Sequence, residues 1–156
     1  MFALRPNGSY RAVNSEADLL PGEIFSEQRP VFPVNLTQYA NDKQWHLATG
    51  GFTIEFNGGP TVTFATDTIG VAMLQMHAAR QQQPAPPATV QWQIGETQFV
   101  DLTGQQVQVA FARVTDFING TFDVLKPLLA DIDTGRVRSV VEIDAYAWPS
   151  ARVTVS

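Results

Sequence analysis

The longest amphipathic run in this 156-residue chain starts after Thr103 and keeps one apolar stripe as far as Ile132. Val107, Ala110, Phe111, Val114, Phe117, Ile118, Phe122, Leu125, Leu128, Leu129 and Ile132 recur at the 3.6-residue period of an α-helix, for about seven turns. Thr103 and Gln106 form a capping-box pair at its start, and Gly135 offers the left-handed turn that ends it. Gly120 and Pro127 lie inside it. A proline removes one N–H and crowds the preceding turn, so a bend is expected near residues 121–123. A helix this long cannot bury its stripe alone, and the other elements have to cover it.

Those elements are short. Asn35 and Gln38 open a helix expected over 36–47, which stops at Gly50-Gly51. Phe52 to Phe56 and Thr61 to Phe64 alternate apolar and polar around Asn57-Gly58-Gly59-Pro60, a β-hairpin. Thr66-Asp67-Thr68 caps a second helix running to about residue 82. Ile69, Ala72, Met73, Met76 and Ala79 are its apparent apolar face, with Met73 and Met76 expected as core fill. A proline-rich connector at 84–88 leads to a second two-stranded unit, Thr89 to Ile94 and Gln98 to Asp101, turning at Gly95-Glu96-Thr97. Residues 137–156 read as either strand or short helix around Val140-Val141 and Ile143, then alternate at Val153-Thr154-Val155. The order of elements predicts a small α+β domain: two β-hairpins packed on helices, one long C-terminal helix, and an extended N-terminal arm. The expected divisions are 1–33 as the arm or small hairpin, 34–149 as the domain, and 150–156 as a tail.

In the arm, Pro6-Asn7-Gly8 and Leu20-Pro21-Gly22-Glu23 are turn signals. Arg29-Pro30-Val31-Phe32-Pro33 has to run extended, because its two prolines bar a helix. Phe2, Tyr10, Phe25 and Phe32 crowd into this segment among polar neighbours. Aromatic side chains on a stretch too short to make its own core are candidates for docking onto a partner.

Composition narrows the chemistry. Charged residues make up 16% of the chain and the net charge is −5, so there is no basic face for nucleic acid or an anionic membrane. The absence of cysteine removes disulfides, thiolate metal sites and thiol nucleophiles. No apolar run approaches the roughly 18 residues of a membrane-spanning helix, and the first residues lack the pattern of a secretory signal. The triplets at Asn7, Asn35 and Asn119 are then read as chance occurrences of the glycosylation pattern. His46 and His77 fall on different helices without a ligand at metal-site spacing. Asp131, Asp133 and Asp144 lack the central glycine and closing glutamate of a calcium loop. They read as solvated acids at a helix end, with Arg136 or Arg138 to compensate. Gly50-Gly51 and Gly58-Gly59 lack phosphate-loop spacing, and no serine sits in a nucleophile elbow. No catalytic residue, metal or cofactor is expected.

One arrangement of landmarks carries a resemblance. Lys43 and Trp45 precede Gly50-Gly51-Phe52, and a strand ends in Thr66-Asp67. Trp92 and Val100-Asp101-Leu102-Thr103 lead into the long helix, and Glu142-Ile143-Asp144-Ala145 with Trp148-Pro149 closes the set. Over about residues 34–149 this resembles a small domain of unassigned activity from the tail and tail-fibre gene clusters of tailed bacteriophages. Residues 10–18 and 20–23 look like the leader such proteins carry. The resemblance implies scaffold positions and no catalytic residues. Its implied role is a non-enzymatic virion component of the tail, baseplate or fibre attachment, made in the bacterial cytoplasm. Its expected partners are other tail or fibre proteins, contacted as a homo-oligomer or as several copies on a symmetric partner. The alternative is a tail-fibre assembly chaperone that the mature particle does not retain.

Overall fold

The computed structural model of the chain describes residues 1–4, 10–28 and 34–156, which divide into two units, Met1–Asn35 and Leu36–Ser156. In the first unit β1 (Phe2–Leu4) is the middle strand, with β2 (Tyr10–Ala12) and β3 (Ile24–Ser26) antiparallel on either side. Pro21 and Gly22 make the turn before β3: Glu23 N–H donates to Leu20 C=O at 3.0 Å, and Gly22 has φ +85°, the conformation such a turn reserves for glycine. The carboxylate of Glu23 then takes both Nε and Nη2 of Arg11, at 3.1 and 2.8 Å, and the Leu20 N–H at 2.9 Å. This bidentate pair ties β2 to the turn, and the Glu23 hydrogen bond raises the Arg11 pKa further above its ordinary value. Residues 29–33, expected to be extended, lie outside the described residues.

The second unit begins with α1 (Leu36–Thr49), followed by the hairpin of β4 (Phe52–Phe56) and β5 (Thr61–Phe64). Asp67 caps α2 (Thr68–Arg80) by accepting the Gly70 N–H at 2.7 Å. A second hairpin, β6 (Thr89–Gln93) and β7 (Phe99–Thr103), runs directly into α3 (Gly104–Asp133). The Thr103–Gln106 capping box is present in both directions: Gln106 N–H donates to Thr103 Oγ1 at 3.2 Å, and Thr103 N–H donates to Gln106 Oε1 at 2.9 Å. α3 is unbroken through Gly120 and Pro127.

α3 serves two cores in turn. Val107, Ala110, Val114 and Phe117 pack with Phe52, Ile54, Phe64, Leu74 and Leu102, and the Phe52 and Phe117 rings stack 4.8 Å apart. Leu125 and Leu128 join Ala40, Val137 and Ile143 in a second cluster. Thr121 sits between the two, fully buried. Its hydroxyl accepts from Gln44 Nε2 of α1 at 2.8 Å and donates to Ile118 C=O at 2.7 Å. The stripe was expected to pass through Phe122, but Phe122 is 53% exposed. Stepping by four from Phe117 to Leu125 lands on Thr121, and Phe122 lies about 100° further round the helix.

Two further expectations need correction. Met73 and Met76 are not core fill; they are 48% and 58% exposed, and Ile69 is 73% exposed. α2 buries Gly70, Leu74 and Ala78 instead. Gly70 fits the tight turn into the helix, where a Cβ would stand 2.3 Å from the carbonyl oxygen of Ala65 just ahead of the cap. Residues 150–156, set apart as a tail, carry β8 (Arg152–Val155), which pairs parallel with β4 and completes the order β5-β4-β8. Val155 is buried there, and Glu55 of β4 holds Arg152 and Thr154 of β8. Just before β8, residues 140–144 resolve as a short helix, α4 (Val140–Asp144), capped reciprocally by Ser139 and Glu142.

Candidate functional site

Of the aromatics singled out in the arm, Phe2, Tyr10 and Phe25 do not share one face. Phe2 and Tyr10 share a sheet face and meet edge to face, with ring centroids 5.7 Å apart. Phe25 lies opposite Ala3 in the β1–β3 register, so its side chain leaves from the other face. Phe2, Tyr10 and Phe25 are each partly buried. Phe32 lies outside the described residues.

Of the acids near the end of α3, Asp133 is exposed, while Asp131 and Asp144 are joined into the scaffold. Asp131 accepts from Arg136 Nη1 at 3.1 Å and from the Tyr146 hydroxyl at 2.6 Å. Asp144 accepts from Lys43 Nζ at 2.7 Å and from the Tyr39 hydroxyl at 3.1 Å, fastening α4 to α1. The Lys43 hydrogen bond, with Tyr39 beside it, holds the Asp144 carboxyl below the usual range. The same bonds raise the Tyr39 and Tyr146 phenols, which have to stay protonated to donate. Lys43 Nζ also stands 5.9 Å from the centre of the Trp148 ring, within cation–π reach. Each carboxylate oxygen of Asp131 and Asp144 has an internal donor, the arrangement of a clasp. Among the described residues no three acidic or imidazole side chains gather as metal ligands.

The histidines occupy the last turns of α1 and α2. His46 Nδ1 is 2.6 Å from the Asp42 carbonyl oxygen. The His77 ring meets Trp92 edge to face at 5.9 Å, and Trp92 also leans on Phe64 at 5.1 Å. Trp92 thus ties β6 to β5 and α2 at the floor of the space between them.

The open apolar surface is centred on α2. Ile69, Met73 and Met76 form a ridge along the helix, with a groove on each side. One groove, about 460 Å³, has Thr63 of β5 on one wall, Gln91 and Gln93 of β6 on the other, and Gly70, Met73 and His77 of α2 between them. The other, about 410 Å³, lies among α1, α2 and α3, and Trp45 and Phe122 stand at it 64% and 53% exposed. Periodicity missed this surface because α2 is apolar nearly all round, so two stripes compete. The glycine and alanines of the buried stripe were the available sign that it was the one drawn in.

Residues 33–147 match a family described as a domain of unknown function, DUF4376. The chain belongs to that family. No curated protein and no solved structure matches the chain. The DUF4376 match takes in both grooves, the α2 ridge and the Lys43–Asp144 clasp. It ends before β8, the strand that completes the sheet.

Proposed function

We propose that this DUF4376 chain is a non-enzymatic structural component of a tailed-bacteriophage virion, in the tail, baseplate or fibre attachment, where it docks onto neighbouring tail proteins. The observation that carries the docking is the exposed ridge of Ile69, Met73 and Met76 between two grooves. Contiguous apolar surface of this kind marks an interaction site more often than isolated exposed residues do. The assignment to a phage tail rests on the resemblance over residues 34–149.

One feature of the same ridge favours the second reading, an assembly chaperone that leaves the finished particle. Methionine is unbranched and adaptable, and it recurs on surfaces that engage a partner without rigid complementarity. The two readings separate in a single measurement: mass spectrometry of purified, salt-washed particles, with the chain quantified against a tail protein of known copy number. A stoichiometric multiple of three or six is expected of a virion component. Absence from infectious particles, with abundance in the infected lysate, would overturn it and assign the chain to assembly.

A further inference from the structure

The groove between β5 and β6 is bounded by two strand edges, and the hydrogen-bond parity of each ladder shows which way they face. In the β4–β5 ladder, Phe56 N–H donates to Pro60 C=O at 3.2 Å, so Ile54–Val62 and Phe52–Phe64 are the next bonded pairs. Thr61 and Thr63 therefore direct their main-chain groups away from β4. The parity is consistent across β4, since Thr53 N–H donates to Ala151 on the β8 side at 2.8 Å. In the second hairpin, Ile94 N–H donates to Gln98 C=O at 2.9 Å, making Trp92–Val100 and Val90–Leu102 the bonded pairs. Gln91 and Gln93 then direct their main-chain groups away from β7. β5 is the outer strand of its sheet and β6 one of two in its own. Thr63, Gln91 and Gln93 line the same groove.

Free edges are ordinarily blunted by a charge, a proline or a bulge. Neither TVTF of β5 nor TVQWQ of β6 carries a charged residue or a proline. Two unprotected rows of N–H and C=O flank one groove, beside a helix whose Met73 is exposed there.

We infer that the groove receives an extended segment of a partner protein, which adds as a strand against the free edges of β5 and β6. A helix has no free main-chain groups to offer these edges. A folded second copy would bring its strands with their sheets attached, whereas about 460 Å³ accommodates a few residues of extended chain. The segment has alternating character: its apolar side chains cover Met73 and Trp92, and its polar ones lie beside Thr63, Gln91 and Gln93. This deepens the docking part of the proposed function and is independent of the virion assignment. The test uses purified full-length chain, so the particle experiment can fail while this one succeeds.

The experiment selects peptides from a random display library against the full-length chain and measures the best binder by amide hydrogen exchange. Slowed exchange at Thr63, Gln91 and Gln93 is expected on binding. Gln91→Pro leaves the β6–β7 ladder intact, because that N–H is not part of it. It should nonetheless weaken binding by about tenfold or more, while Asp101→Pro on the far edge of the hairpin should leave binding unchanged. N-methylation of alternate amides in the peptide tests the same bonds without altering the protein, and one of the two alternate sets should abolish binding. Three results would overturn the inference: no selectable peptide, binding that leaves those amides and the N-methylated peptides unaffected, or a chain that sediments as a dimer which Gln91→Pro dissolves. The last would give the groove to a second copy.

Discussion

Gln44 and Thr121 form the buried polar contact between α1 and α3, at the point where α3 passes from one core to the other. Thr121→Val keeps the shape but leaves the Gln44 amide buried without its acceptor. A loss of about 1–3 kcal/mol is expected in urea unfolding, and Gln44→Leu combined with Thr121→Val should recover much of it. Asp144 sets a pH dependence. Its folded pKa is depressed by Lys43 and Tyr39, so the unfolded chain takes up that proton at higher pH than the folded one. The stability it contributes is full above the ordinary carboxylate range and is lost as pH falls through the folded value. Glu142 acts in the same direction, through the Arg138 N–H and then the Ser139 hydroxyl. Asp144→Asn should flatten the acid limb of a melting-temperature profile. Tyr39→Phe should flatten the alkaline limb, because a raised phenol pKa contributes stability that is lost as pH rises through it.

The elements show how far pattern carries. α3, its capping box and both hairpins were legible because their signals are local: one period sustained over many turns, or Asn57-Gly58-Gly59-Pro60 between alternating strands. The inward face of α2 was not legible, since Leu74 and Met73 are both apolar and the choice between them is made by tertiary packing, which buries the Gly70, Leu74 and Ala78 stripe. The grooves were hidden for the same reason, as they exist only where that choice leaves Met73 outside. For β8 the alternation at Val153-Thr154-Val155 was legible but its place in the sheet was not, because its partner β4 lies about a hundred residues away in sequence. Pro127 is exposed on α3, so it removes one N–H from a continuous helix without filling a core. Pro127→Ala should raise stability by roughly 1–3 kcal/mol in urea unfolding, and an unchanged midpoint would show that the helix is already relaxed around the proline.

For the whole molecule, the division after Asn35 predicts separable folding. Deleting residues 2–33 should leave the remainder with a cooperative thermal transition; under the virion proposal, a particle contact made by the first unit would be lost with it. Loss of folded circular dichroism would instead make the first unit part of the second unit's core. Ending the chain at residue 149 should be far more damaging despite leaving the DUF4376 region whole. It uncovers one edge of β4 and removes buried Val155, which alone contributes on the order of 1.5–3 kcal/mol. The β4–β8 pairing also has a consequence for biosynthesis. β4 and its hairpin partner are synthesised about a hundred residues before Val155, so the middle strand has one side bare until the last strand is delivered. Closing so long a loop is slow relative to forming the hairpins. During that interval the bare edge of β4 is open to pairing with another chain, so slower delivery of β8 is expected to lower the yield of native protein.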